Sequence, residues 1–161
     1  MRARAITAVV LFGFMATTLV LAADAKYKPG GTQFSRIWDD FYTDQPHEPD
    51  LPAPLVAAGP KMTLVICDAV VHKDMMYRRY AIAALGIVQD KRAIQTLEKI
   101  MRDESELDYF RGDALQSLYR IDHTLGQQLA HQYKSGPEYL QMVARAIESD
   151  EAWLTAPWGE H

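Results

Sequence analysis

The same short phrase occurs twice in this chain. RRYAIAALG begins at Arg78 and RGDALQSLY begins at Arg111. A weaker third copy follows at a similar interval, where Val143, Ala146 and Ile147 take the matching positions. A repeat of this length predicts a stack of similar units, because one unit alone cannot bury its apolar face.

Apolar residues recur at helical spacing from Lys61 to Ser149, without the alternation typical of strands. Asp90 and Asp122, separated by nearly the same interval as the two phrases, each precede such a stretch and are predicted to be helix N-caps. The pattern therefore predicts helices in three pairs. Their expected bounds are 61–73 with 75–87, 91–102 with 107–120, and 123–134 with 138–149.

The two phrases place small residues at equivalent positions of their helices. Small side chains let stacked helices approach closely, while leucines fill the gaps between them. The matching pairs are Ala81 with Ala114, Ala84 with Ser117, and Leu85 with Leu118. The copies differ where Tyr119 replaces Gly86, so we expect the second helix to continue for another turn.

These residues resemble the HEAT-like repeat of the type found in phycobilisome lyase proteins. The similar segments are DMMYRRYAIAALG at 74–86, DKRAIQTLEKIMRD at 90–103 and DYFRGDALQSLY at 108–119. The resemblance covers about residues 60–150, and the third copy departs from it with Leu140 in place of the arginine. It implies an all-α fold, a short α-solenoid of about three HEAT-like helix pairs with an N-terminal extension.

The resemblance also implies roles for the arginines and for one surface. In HEAT-like arrays an acidic turn residue pairs with the arginine, which here means Asp74 with Arg78, and Asp103 or Asp108 with Arg111. The second helix of each unit would line the inner surface. The residues expected to face solvent there are Arg79, Ala83, Gln116, Gln141 and Arg145.

That stripe is polar and mixed in charge, which suits a protein or peptide ligand better than a hydrophobic cofactor. A solvated face without a ligand is the alternative. Residues 151–161 form a tail in which Trp153 and Trp158 are expected to cap the end of the stack, or else to anchor a partner.

Residues 1–25 have the features of a secretory signal peptide. Arg2 and Arg4 precede an apolar run, and the small residues at its end allow cleavage after Ala22 or Ala25. An uncleaved membrane anchor is the alternative, since the run is nearly long enough to cross a bilayer. We therefore expect a periplasmic or secreted protein with no membrane association beyond the export signal.

Residues 26–60 differ from the repeats and are expected to form an N-terminal arm. TQFSRIWDDFYT has apolar residues at helical spacing and Thr32 as a possible N-cap, so it predicts one short helix. DQPHEPDLPAP contains four prolines and predicts an extended linker. The repeat domain itself is expected to span 61–150.

Net charge and cysteine content exclude some classes of function and of cross-link. Without residues 1–25, the 17 basic and 21 acidic side chains lose two Arg and one Asp, leaving 15 and 20. This negative balance argues against binding to nucleic acid or to an anionic membrane. Cys67 is the one cysteine, so no internal disulfide forms, and its apolar surroundings predict a buried structural thiol.

Motifs for nucleophilic, phosphate or zinc chemistry do not occur in the sequence. His47 lies near Asp39 and Asp40, which makes a metal-dependent enzyme or an enzyme accessory the alternative function. We expect no enzyme activity, no cofactor and no metal. The leading hypothesis is an exported protein–protein interaction module or adaptor for an unidentified protein partner.

Overall fold

A computed structural model describes residues 27–29, 33–43, 52–133 and 135–156, and all of their regular secondary structure is helical. The α-helices are α1 Ser35–Thr43, α2 Ala53–Ala58, α3 Thr63–Val70, α4 Arg78–Val88, α5 Ile94–Arg102, α6 Asp108–Ile121, α7 His123–Ala130 and α8 Glu138–Glu148. Short 3-10 turns occupy Gly59–Met62, Lys91–Ala93, His131–Tyr133 and Ala152–Leu154. The prediction of an all-α fold is confirmed for the described residues.

The three predicted helix pairs correspond to α3 with α4, α5 with α6, and α7 with α8. The Asp90 side chain accepts a hydrogen bond from the Arg92 backbone N–H at 3.0 Å, at the start of the turn that leads into α5. Asp122 accepts one from the Leu125 N–H at 3.1 Å and begins α7. Both predicted N-caps are therefore confirmed.

Helix α6 lies at the centre of the molecule and packs against α4, α5, α7 and α8. The small residues of the repeated phrases lie at these contacts and are buried. Gly86 of α4 meets Ser117 so closely that a Cβ atom on Gly86 would lie 2.7 Å from the Ser117 Cα. The Ser117 hydroxyl also donates to the Ile82 carbonyl at 3.1 Å. Small side chains thus let α4 and α6 approach, as predicted.

The two repeated arginines make equivalent hydrogen bonds, although not the predicted ones. Arg78 Nε donates to the Val70 carbonyl at 2.6 Å, and Arg111 Nε donates to the Met101 carbonyl at 2.9 Å. Each acceptor lies in the last turn of the first helix of its pair, where carbonyls have no partner within the helix. Each arginine therefore joins the two helices of its own pair.

The expected ion pairs of Arg78 with Asp74, and of Arg111 with Asp103 or Asp108, are wrong for the described structure. Arg78 Nη1 pairs with Glu106 Oε2 at 2.7 Å, and both side chains are almost fully buried. Asp103 pairs with Lys73 at 2.7 Å, while Asp108 accepts backbone N–H groups at the start of α8. The acidic partner of Arg78 is therefore the carboxylate that folding brings closest, and not the one nearest in sequence.

The predicted extra turn after Tyr119 is also wrong. When Arg78 is aligned with Arg111, Val88 corresponds to Ile121, and these residues end α4 and α6 respectively. Helix α6 is longer than α4 because it begins before Arg111, at Asp108, whereas α4 begins at Arg78 itself. Asp122 ends it by starting α7 as the N-cap, with φ −149° and ψ 100°, outside the helical region.

The predicted helix in the N-terminal arm is present as α1, which buries Trp38 and Phe41. Thr32 and residues 1–25 lie outside the described residues. The proline-rich segment, expected to be extended, forms helix α2 over its last part. Pro52 is the N-cap and Pro54 lies in the first turn, where the missing N–H of proline is tolerated.

The helical run Ala53–Val70 comprises α2, the following 3-10 turn and α3. Its mean hydropathy of 1.4 over 18 residues makes it, among the described residues, the one helix long and apolar enough to cross a membrane. Core helices of soluble proteins have the same property. Here Leu55, Met62 and Ile66 are buried, α2 packs on α1, and both α2 and α3 pack on α4.

Cys67 is buried in α3, as predicted. Burial raises the pKa of its thiol above the ordinary value. A protonated, enclosed thiol is a poor nucleophile, which agrees with a structural role.

Candidate functional site

Part of the stripe predicted to face solvent is covered by the C-terminal segment, residues 152–156. Gln116 Nε2 and Arg120 Nε both donate to the Leu154 carbonyl, at 3.2 and 2.7 Å. Arg120 Nη2 also donates to the Ala156 carbonyl at 2.8 Å. The expected solvent exposure of Gln116 and Ala83 is therefore wrong, because both side chains are buried.

Leu154 anchors this C-terminal segment, and Trp153 packs against the same hydrophobic core. The Leu154 side chain is fully buried, whereas Trp153 is half-buried and donates its ring N–H to Glu151 at 2.7 Å. Trp158 lies outside the described residues. The face of α6 that carries Gln116 is thus occupied by the chain itself.

Arg79 was expected to extend into solvent, but it joins α4 to α6 and α8. Its guanidinium donates to both carboxylate oxygens of Asp113, at 2.7 and 3.2 Å, and to the Tyr139 hydroxyl at 2.9 Å. The Tyr139 hydroxyl in turn donates to Asp113 at 2.9 Å. The cycle leaves the Arg79 side chain 42% exposed and Asp113 only 3% exposed.

The protonation states of this cycle follow from burial and charge. Burial, together with the charge of the neighbouring Asp113, raises the pKa of the Tyr139 hydroxyl to about 12. Burial alone would lower the pKa of Arg79, but its hydrogen bonds to Asp113 hold that pKa above the usual value. Tyr139 therefore keeps its proton at neutral pH and serves as a fixed donor.

Burial also raises the pKa of Asp113, and its bonds to Arg79 and Tyr139 only partly oppose this. A carboxylate in this position is expensive to bury without partners, so the cycle stabilises it. The role of this hydrogen-bonded cycle is to hold a side chain in position. The cycle holds the Tyr139 ring against α6, where Gly112 leaves room for it.

An open groove of about 650 Å³ lies beside this cycle, along the exposed side of helix α8. Four of its residues are spaced three and four apart and therefore share one face of the helix. The residues that line the groove are Asp108, Glu138, Tyr139, Gln141, Met142, Arg145 and Glu151. Two of them, Gln141 and Arg145, belong to the stripe predicted from the sequence, and we call this site the α8 groove.

Helix α6 fixes the position of the α8 groove through Asp108. The carboxylate of Asp108 accepts the backbone N–H groups of Tyr139 at 2.6 Å and Leu140 at 2.9 Å. The residue at the N-cap position of α8 is Pro137, whose side chain makes no capping hydrogen bond. A carboxylate from another helix thus caps α8. Its negative charge also interacts favourably with the positive end of the helix dipole.

Replacing Asp108 with alanine is expected to fray the first turn of α8 and to lower the free energy of unfolding by about 1–2 kcal/mol. Urea unfolding followed by circular dichroism measures this loss. Asp68→Ala removes an exposed aspartate from α3 and is the control. Equal stability of the two variants would contradict the capping role.

The α8 groove combines charge with apolar surface. Met142 is 46% exposed, one of a small set of large apolar side chains with such exposure among the described residues. Glu138 and Arg145 are exposed, and neither forms an ion pair within the described part of the chain. The groove therefore offers one apolar contact between two opposite charges that have no salt-bridge partner among the described residues.

Sequence reasoning did not identify Tyr139, Met142, Glu138 or Asp108 as site residues. A signal for Met142 was available, because this residue interrupts the polar face of an otherwise regular amphipathic helix. No such signal exists for Asp108, because its capping partners belong to a different helix pair, far along the chain.

The structure describes only part of the alternative site. Asp39 and Asp40 are exposed on α1, and His47 lies outside the described residues. Within the described ranges, no group of three or more His, Cys, Asp or Glu side chains is placed to hold a metal ion.

No family model, curated protein or solved structure matches this chain.

Proposed function

We propose that the protein is an exported protein–protein interaction module or adaptor, which acts in the periplasm or outside the cell. The observation that carries this proposal is the α8 groove, where an exposed Met142 lies between the opposite charges of Glu138 and Arg145. The signal peptide predicted over residues 1–25 supports the location.

The scaffold for this function is a short α-solenoid of about three HEAT-like helix pairs. Three features support it: α4, α6 and α8 pack side by side through α6, the repeated arginines make equivalent bonds, and small residues line the contact of α4 with α6. Units stacked in this way leave the last helix without a neighbour on its far side. In the described part of this chain that helix is α8.

The lining of the α8 groove fits a protein surface better than a small apolar ligand. Methionine adapts its shape to different partners and is common at adaptable binding surfaces. Charges at the rim of an interface favour correct orientation and faster association. The Tyr139 ring, held in place by Arg79 and Asp113, adds a rigid aromatic contact.

A photo-crosslinking amino acid placed at position 142 tests this function in the cell of origin. We expect a discrete crosslinked protein band with this residue in the α8 groove. The same amino acid at Gln95, exposed on α5, is the control and should give no such band. Identical patterns at both positions, or no band at either, would contradict a docking site in the groove.

A further inference from the structure

We propose that the occupant of the α8 groove is the α8 helix of a second copy of this chain, packed antiparallel to the first. The inference rests on the proposed function, because it names the partner of the same site. The observation behind it is the order of side chains along the exposed face of α8.

Opposite charges lie at the two ends of this face. Glu138 is in the first turn of α8 and Arg145 lies two turns further, about 10 Å along the helix axis. The midpoint between them falls at Gln141 and Met142, which also line the groove. Acid, apolar residue and base therefore follow one another in a line along one side of the helix.

Such an order is complementary to itself under a twofold rotation. When two identical helices pack antiparallel, Glu138 of one copy faces Arg145 of the other, and the reverse pair forms at the opposite end. The two Met142 side chains then meet near the twofold axis. Identical patches that exchange the same contacts are the requirement for a closed symmetric dimer.

The charges that line the α8 groove also favour a second copy of α8 as the partner. Asp108 lines the groove at the same end as Glu138, so an arginine from the second copy would enter an acidic environment. The remaining acidic residue of the lining, Glu151, accepts the Trp153 ring N–H at 2.7 Å. A purely basic peptide would leave Arg145 without a partner, whereas a second copy of α8 satisfies both charges. The contact is small, since α8 has only 11 residues, so we expect a transient dimer.

A cysteine at the predicted axis tests the geometry in the full-length protein. Under mild oxidation, Met142→Cys is expected to form a disulfide-linked dimer about tenfold faster than Gln95→Cys, because the contact raises the effective concentration of the thiol. The native Cys67 is buried and gives little background. Equal rates for the two variants would overturn the second-copy proposal.

Charge reversal then tests the pairing. Added to Met142→Cys, either Glu138→Lys or Arg145→Glu alone should reduce dimer formation to the rate of the Gln95→Cys control, because like charges then face each other. The two reversals together should restore the faster rate. Undiminished crosslinking of the single-reversal variants, or no recovery when both are combined, would overturn the antiparallel arrangement. Since these side chains are exposed, thermal unfolding should show unchanged folding.

The two proposals can fail separately. Crosslinking from position 142 to a different protein, combined with slow Met142→Cys dimer formation, would overturn the second copy as occupant and leave the docking function standing. Absence of both signals would overturn both proposals.

Discussion

Replacing Glu106 with alanine is expected to lower the free energy of unfolding by about 3 kcal/mol or more, since it leaves a buried guanidinium without its counter-ion. Arg78 is 2% exposed and the Glu106 side chain 4%. What remains for Arg78 is its bond to the Val70 carbonyl and its position 4.6 Å from the centre of the Phe110 ring. Neither neutralises a full positive charge.

Chemical denaturation of purified variants measures this effect. Glu106→Gln keeps a polar acceptor but removes the charge, so its loss of stability should be intermediate. Lys73→Ala breaks the exposed pair with Asp103 and is the matched control, with a much smaller expected change because solvent screens that pair. A Glu106→Ala variant no less stable than Lys73→Ala would show that Arg78 does not depend on Glu106.

Replacing Gly126 with alanine is expected to destabilise the protein by about 2–3 kcal/mol, because the added methyl group has no space. A Cβ atom at this position of α7 would lie 2.5 Å from the Cα of Tyr119 and 2.6 Å from its Cβ. The obstacle at Tyr119 is main chain, so relief requires α7 to move away from α6.

The sign of this effect is what makes it informative. In an exposed helix the same substitution stabilises by up to about 1 kcal/mol, because alanine is the better helix former. Gln128→Ala, an exposed change on the same helix, controls for altered helix propensity. Thermal unfolding at the same pH compares the two, and a Gly126→Ala variant as stable as the parent protein would mean that the helices separate easily.

Much of the local structure follows from the sequence because its causes are local. Helical spacing of apolar residues predicted α3 to α8 in three pairs, and Asp90 and Asp122 were recognised as N-caps because a cap bonds to groups close by in the chain. The prediction of an extended linker was wrong where Pro52 and Pro54 begin α2, since proline is compatible with a first helical turn.

The candidate site was predicted only in part. Gln141 and Arg145 lie in the α8 groove, and both were named from the repeat register. Gln116 and Arg79 were named by the same reasoning, yet one is buried beneath Leu154 and the other is bound to Asp113. The register places a residue on a face of its own helix, but it contains no information about what covers that face.

The sequence by itself determined the helical class of the described residues, the approximate bounds of α3 to α8 and the recurrence of one phrase along the chain. Its hydrophobic periodicity and its capping residues act within one or two helical turns, so they can be recognised along the chain. Only the tertiary structure decided which partners the polar residues take. Glu106 reaches Arg78 from beyond α5, and Asp108 caps α8 from beyond α7, because folding brings these groups within hydrogen-bonding distance and leaves nearer charges apart.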